Sequence, residues 1–477
     1  MAISDPASTE PAGKAEPAPA PTPRRRRHLR PPMPDHPPRA ISPYRALHIA
    51  RQNVISVWRP EAYFAPFMAE KYLFRWMYVA NNPDAVRHVM VANVDNYWKS
   101  GTMRMALKPL VGNGSFVSNG SVWKRQRRIN IPAFHHSRIR IFAGYMGEEA
   151  QSMLDQWAGH DDGAELEVNE EMANVTASVV CRSMFSEDLG ANGKIVFDAF
   201  TEYQATLHQI DYAEMLGLPR FLSQRPGRRA VKAARVIDRV IRGIIAERWG
   251  EEDDRGDFLS TLLAARDEET GEGLTEDEIR DEMSVIFLAG HETTANTLSW
   301  ALYLLSKDPA TEERLHAEVD EVLAGRVPGY DDLERLPFAR AVIEETLRLY
   351  PPVPLYSRTA READEIDGVR IEPGSNMIVC PWLLHRHRLL WDKPNQFVPD
   401  RFLPGNRKGM NKYQYVPFGA GPRTCIGASF GLLEAVIILA SIAQRFRLRL
   451  RDGFEIKPIA RLSLRPNPSV PMRLERR

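Results

Sequence analysis

The chain has 477 residues with 63 Lys plus Arg against 62 Asp plus Glu, a balance that leaves no global field to draw it to DNA, RNA or an anionic membrane. Three cysteines, Cys181, Cys380 and Cys425, are too few and too scattered for a disulfide framework and suit a reducing, cytoplasmic compartment. The longest strongly apolar stretch, Gly431 to Ala443, contains Glu434 and falls short of the roughly 20 residues that cross a bilayer, so no transmembrane helix is expected.

Residues 1–40 are proline-rich, polar and then basic, a composition that predicts a disordered tail, with the run Arg24 to Arg27 read as solvated charge. Residues 41–477 contain no repeat, linker or abrupt change of composition and read as one unit. Asn82 before Pro83 marks a helix start, and apolar residues at helical spacing recur over Lys194–His208, Arg228–Trp249 and Pro309–Leu323. Strand-like runs are few: FRWMYVA, SNMIVCPW and the C-terminal LSLRPNPSVPMRL. The expected fold is therefore mainly α with a minor β region.

The longest helical pattern runs from Thr275 to about Lys307, opens with a Thr275/Glu278 capping box and is stopped by Pro309. At that length it spans about 50 Å, enough to cross the whole domain. Its middle, VIFLAGHETTANTLSW, is apolar almost all round and so buried, which makes His291, Glu292, Thr293 and Thr294 conspicuous. Ala289 and Gly290 have small side chains, and the Thr293 hydroxyl can bond the Ala289 carbonyl four residues back.

The second conspicuous stretch is FGAGPRTCIG, Phe418 to Gly427. Its glycines let the backbone turn sharply, and Cys425 stands just before an apolar helix expected to begin near Ile426, where the helix dipole favours a thiolate. No Cys or His pairs flank it as zinc would need, whereas a lone thiolate suits haem iron, to which the porphyrin gives four nitrogens. A small buried residue in a turn is the plainer reading of a bare cysteine. His385 and His387 in LLHRHRLLW are spaced like a strand face, and His135 and His136 have no obvious co-ligand, so packed side chains are expected there rather than a metal site.

With Phe418, Gly419, Gly421, Arg423, Cys425 and Gly427 all in place, the loop resembles the haem-binding signature of the cytochrome P450 family. The resemblance covers nearly everything from residue 41 onward. It implies that fold, with a long central helix over haem b and the cysteine loop beneath, and Cys425 as the axial ligand of the iron. It further implies that Phe418 packs over the sulfur side, that Ala289 lies against the porphyrin, and that Arg423, Trp123 and Arg127 of WKRQR and Arg358 hold the propionates. Glu292 and Thr293 resemble the family's acid and alcohol pair that relays protons to dioxygen. Glu345 and Arg348 of ETLR with Arg401 of PDRF resemble its buried structural network. By family position alone, Phe287, Val353, Leu355 and Leu462 are expected to touch substrate.

The implied activity is that of a monomeric monooxygenase inserting one atom of O2 into a small apolar substrate by hydroxylation or epoxidation. No flavin or iron–sulfur domain follows Arg477, so electrons are expected from a separate ferredoxin and its NAD(P)H-dependent ferredoxin reductase. Lys124, Arg125 and Arg128 are the expected docking patch for that acidic donor. The alternatives are a haem-thiolate sensor, which would need no proton relay, and a peroxide-driven hydroxylase, which would be expected to lose the acid and alcohol pair.

Overall fold

The computed structural model describes residues 28–37, 41–186, 191–206, 226–251 and 253–477, together with Ala213, Leu216 and Leu218. The central helix Glu276–Lys307 has 32 residues, about 48 Å of length. Thr275 accepts from the Glu278 N–H while the Glu278 carboxylate accepts from the Thr275 N–H, so the expected capping box forms. Asp308 closes the helix and caps its successor Pro309–Leu323, whose bounds match the apolar pattern.

Helices surround this rod closely. A Cβ on Gly290 would lie 2.8 Å from Val180, so glycine is what lets helix Val168–Phe185 press against the central one. On another side Trp300 stacks on Tyr350, at the end of helix Pro337–Leu349, with ring centroids 3.8 Å apart. Helix Ala428–Arg445 follows the cysteine loop. By length and composition it would suffice to cross a membrane, but 67% of that stretch is buried inside the protein, and core packing accounts for its apolar character.

The largest sheet has five strands in the spatial order Phe67–Tyr72, Arg75–Ala80, Asn376–Val379, Tyr356–Ala360 and Tyr97–Lys99. Only the second pairing, Arg75–Ala80 with Asn376–Val379, is parallel. At the far edge the register sets Lys99 opposite Arg358. Like charges directly across a ladder repel, so this pairing needs an anion nearby.

Several expectations move. The tail does not reach residue 40, because residues 28–37 lie on the body of the protein: the Phe397 N–H bonds the Leu29 carbonyl at 2.9 Å and the Tyr350 hydroxyl bonds that of Pro32 at 2.9 Å. Residues 1–27, with the arginine run, lie outside the described residues. The helix expected over Lys194–His208 spans Ala191–Thr206, residues 207 and 208 being outside the description. The run after Val379 leaves the sheet for a helical turn, Pro381–Leu384, because Pro381 has no N–H to give the ladder. The C-terminal run divides into Leu464–Asn467 and Pro471–Arg476, in different sheets.

Candidate active site

One cavity of about 390 Å3 gathers most of the residues singled out above. Its floor is the cysteine loop, where Gly419 and Gly421 take φ of +75° and +69°. A Cβ on Gly421 would overlap the Met90 carbonyl, so glycine is required there by conformation and by space alike. Gly421→Ala is expected to lose more than about 1 kcal/mol of stability, seen as a lower unfolding midpoint.

The loop is stapled from several sides. The Cys425 N–H bonds the Phe418 carbonyl at 2.8 Å, the Tyr356 hydroxyl bonds the Pro417 carbonyl at 2.8 Å, and the Val416 N–H bonds His385 Nε2 at 2.9 Å. Cys425 is exposed only in that it opens onto the cavity. The expected lowering of its thiol pKa is not what results. Burial pushes the thiol up, outweighing the Gly427 N–H and the charges of Arg127 and Lys99, which pull it down. The helix also begins two residues later than expected, at Ala428, so its dipole acts from further off.

Around the cavity stand four cations, Lys99, Arg127, Arg358 and Arg423. Arg423 lies over the Trp123 ring at 4.0 Å and donates to the Ser118 carbonyl and Asn119 Oδ1. Arg358 donates to the Ser357 carbonyl, and Lys99 Nζ to that of Phe116. Burial, then Arg358 and Arg423, hold the Lys99 ammonium well below its ordinary pKa; burial brings Arg358 down to about 10 and, with Arg358 beside it, Arg423 to about 10. Among the described residues none of the four has a carboxylate partner. Buried cations in such number are stable only beside an anion. A flat molecule carrying two carboxylates, sulfur beneath it and Trp123 at its edge, meets that need, so these residues fit haem. Lys99 was not found from the sequence, since nothing in YWKSG distinguishes it before the register places it against Arg358.

The roof is the central helix. Thr293 Oγ1 donates to the Ala289 carbonyl at 2.8 Å as expected, and the helix continues unbroken past it. Ala289, Glu292, Thr293 and Thr297 line the cavity, as do Val353, Leu355 and Leu462. Phe287 does not. It lies about 200° round the helix from Ala289 and packs edge-on against Phe200, so its assignment to substrate is corrected. His291 joins that aromatic cluster, with burial bringing it to about 4, and is neutral. Two turns upstream, Glu282 accepts from the Ser115 N–H, the Ser115 hydroxyl and Asn130 Nδ2, and so holds the 112–118 loop over the cavity. Burial raises Glu282 to about 7.

Behind the cysteine loop, Glu345 and Arg348 are both fully buried. Arg348 Nε and Nη2 donate to the two Glu345 oxygens at 2.7 and 2.8 Å, Arg401 Nε reaches Oε1 at 3.4 Å, and Arg348 also ties the carbonyls of His385, Pro394 and Gln396. His385 serves this scaffold as the acceptor for Val416; among the described residues no three His, Cys, Asp or Glu gather as a metal site. The basic patch is less free than expected. Arg125 pairs with Glu278 at 2.6 Å, Arg128 with Glu269 at 2.6 Å and Asp267 at 3.0 Å, and Lys124 with Asp95 at 3.4 Å, so internal carboxylates already neutralise much of its charge.

Comparison with known proteins agrees with this geometry. The family model described as Cytochrome P450 matches residues 44–474. Cyclooctatin synthase of Streptomyces melanosporofaciens is 38% identical over 404 residues, 83% of this chain and 85% of its own. Cyclooctat-9-en-7-ol 5-monooxygenase of the same organism is 34% identical over 79% of this chain and 81% of its own, and cytochrome P450 4V2 of Mus musculus 32% over 78% and 75%. Among solved structures, the cytochrome P450DA heme domain superposes with a TM-score of 0.76 at 28% identity, covering 86% of this chain and 90% of that one.

Proposed function

This chain belongs to the cytochrome P450 family and is a monooxygenase with haem as cofactor, and on that premise we propose that it oxygenates a neutral, largely hydrocarbon substrate. Haem, when bound, supplies the activation of dioxygen. Cys425 would supply the sulfur ligand to its iron, from the loop that begins at Phe418. Arg127, Arg358, Arg423 and Lys99 would hold its propionates, with Trp123 beside them.

Thr293 spends its own hydrogen on Ala289, which leaves the lone pairs of Oγ1 to accept a proton-bearing partner. Glu292, the next residue, is the acid that brings the proton, and as Thr293 Oγ1 takes it up the hydroxyl releases into the cavity the hydrogen it now shares with Ala289. Glu292→Gln and Thr293→Ala are each expected to lower product formation about 100-fold while leaving the ferrous carbonyl spectrum intact. Electrons come from a separate ferredoxin and its NAD(P)H-dependent reductase.

The observation that carries the substrate class is the placing of charge. Lys99 and Arg358 are cross-strand neighbours, Arg423 stacks on Trp123, and together with Arg127 they are the cations lining the cavity among the described residues. All would be engaged in holding the cofactor, and the rest of the wall is mostly apolar and uncharged apart from Glu292, with Met103, Leu107, Val285, Leu355 and Leu462. Among the described residues no cation is left to anchor a substrate carboxylate. The relatives include enzymes named for cyclooctat-9-en-7-ol, an alcohol, and for leukotriene B4. The cavity favours the former chemistry. A titration following the Soret band tests it: cyclooctat-9-en-7-ol and similar neutral alcohols should bind at least about tenfold more tightly than leukotriene B4 or a fatty acid, and the reverse order would overturn the proposal.

A further inference from the structure

Glu292 and Asn296, one helical turn apart on the central helix, both face the turn Arg461–Ser463 between strands Lys457–Ala460 and Leu464–Asn467. The Ser463 hydroxyl stands between them. It accepts from Asn296 Nδ2 at 3.3 Å and donates to Glu292 Oε1 at 2.6 Å. The second distance is short for a hydroxyl–carboxyl hydrogen bond and marks a close, directed contact. Donor chains of this kind polarise one another, and with Ser463 and Asn296 each only 7% exposed, little water competes for the bond.

The turn is itself fixed. The Leu464 N–H bonds the Pro352 carbonyl at 2.8 Å, and the Asn53 side chain takes the Ala460 N–H at 2.9 Å and gives its amide to the Pro458 carbonyl at 3.0 Å. Ser463 is therefore presented to the helix by backbone that has little freedom to drift. A glutamate has three rotatable side-chain bonds, and a proton donor is useful only in a narrow range of positions.

We propose that Ser463, backed by Asn296, is a positioning residue that holds the Glu292 carboxylate beside Thr293. The assignment rests on the proposed role of Glu292 as the acid. Its neighbour Leu462 lines the same cavity, so one three-residue turn carries both a substrate contact and the anchor of the acid. A substrate pressing on Leu462 bears on the residue that sets where the proton waits.

The test compares crystal structures and coupling of three haem-loaded variants. In Ser463→Ala the Glu292 side chain should leave its present rotamer or split between several, whereas Ser463→Thr, which keeps the hydroxyl, should restore the 2.6 Å contact. Product formed per NADPH should fall about tenfold in the alanine variant and recover in the threonine one. If Glu292 stays in place in Ser463→Ala, the assignment is overturned even where Glu292→Gln abolishes turnover. If Glu292→Gln turns over like the unaltered enzyme, the relay itself fails, although a displaced Glu292 in Ser463→Ala would still support the hold of Ser463 on the carboxylate.

Discussion

Cys425→Ser is expected to yield a protein that folds, with unchanged far-ultraviolet circular dichroism, but lacks monooxygenase turnover and the strong red displacement of the ferrous carbonyl band. Serine preserves the shape of the loop, whose staples are made at its own backbone atoms, the Cys425 N–H, the Pro417 carbonyl and the Val416 N–H, and do not involve the Cys425 side chain. What is removed is the soft, electron-rich sulfur, and a hydroxyl of much higher pKa does not replace it. The raised thiol pKa adds a second expectation. Before haem is bound Cys425 is a protonated thiol, so uptake of iron protoporphyrin releases a proton and tightens as pH rises. A red-displaced carbonyl band surviving in Cys425→Ser would remove the site as proposed.

Glu345→Ala is expected to cost about 3 to 5 kcal/mol, measured by denaturant unfolding of the haem-loaded protein. The reason is the Arg348 guanidinium, fully buried and left without either of the two oxygens it now meets at 2.7 and 2.8 Å. Its remaining bonds to the His385, Pro394 and Gln396 carbonyls carry no neutralising charge. The loss reaches the active site through His385, which both receives Arg348 at its carbonyl and holds the Val416 N–H at the entry to the cysteine loop. Release of haem at a lower temperature than in the unaltered protein should accompany the loss. Asp331→Ala makes the contrast: it breaks an ion pair with Arg140 in which both side chains are more than half exposed, and no change outside experimental error is expected.

Glu345 and Arg348 also show what local sequence conveys. Three residues apart on a helix, they must share a face, and the same rule placed Thr293 within reach of the Ala289 carbonyl and Thr275 within reach of Glu278. The cysteine loop was legible for a related reason, since Gly419 and Gly421 are required by backbone conformation within ten residues of chain. In each case the determining interaction spans a few residues, and the chain has little choice.

What the sequence by itself determined, then, was the central helix with its caps, the glycine-dictated loop that carries Cys425, and the resemblance those segments bear to a known family. Tertiary structure alone decided which charges distant in the chain meet. Lys99 faces Arg358 across 259 positions of sequence only because two strand segments pair in one register, and Ser463 reaches Glu292 from a turn 171 residues away. It turned Phe287 toward Phe200 and away from the cavity, and it drew Arg125 and Arg128 into pairs with Glu278 and Asp267. It also raised the Cys425 thiol, because burial is a property of everything packed around a group and outweighed the local helix end. Short-range periodicity and turn sterics are written in neighbouring residues, whereas desolvation and long-range partners exist only once distant segments have packed.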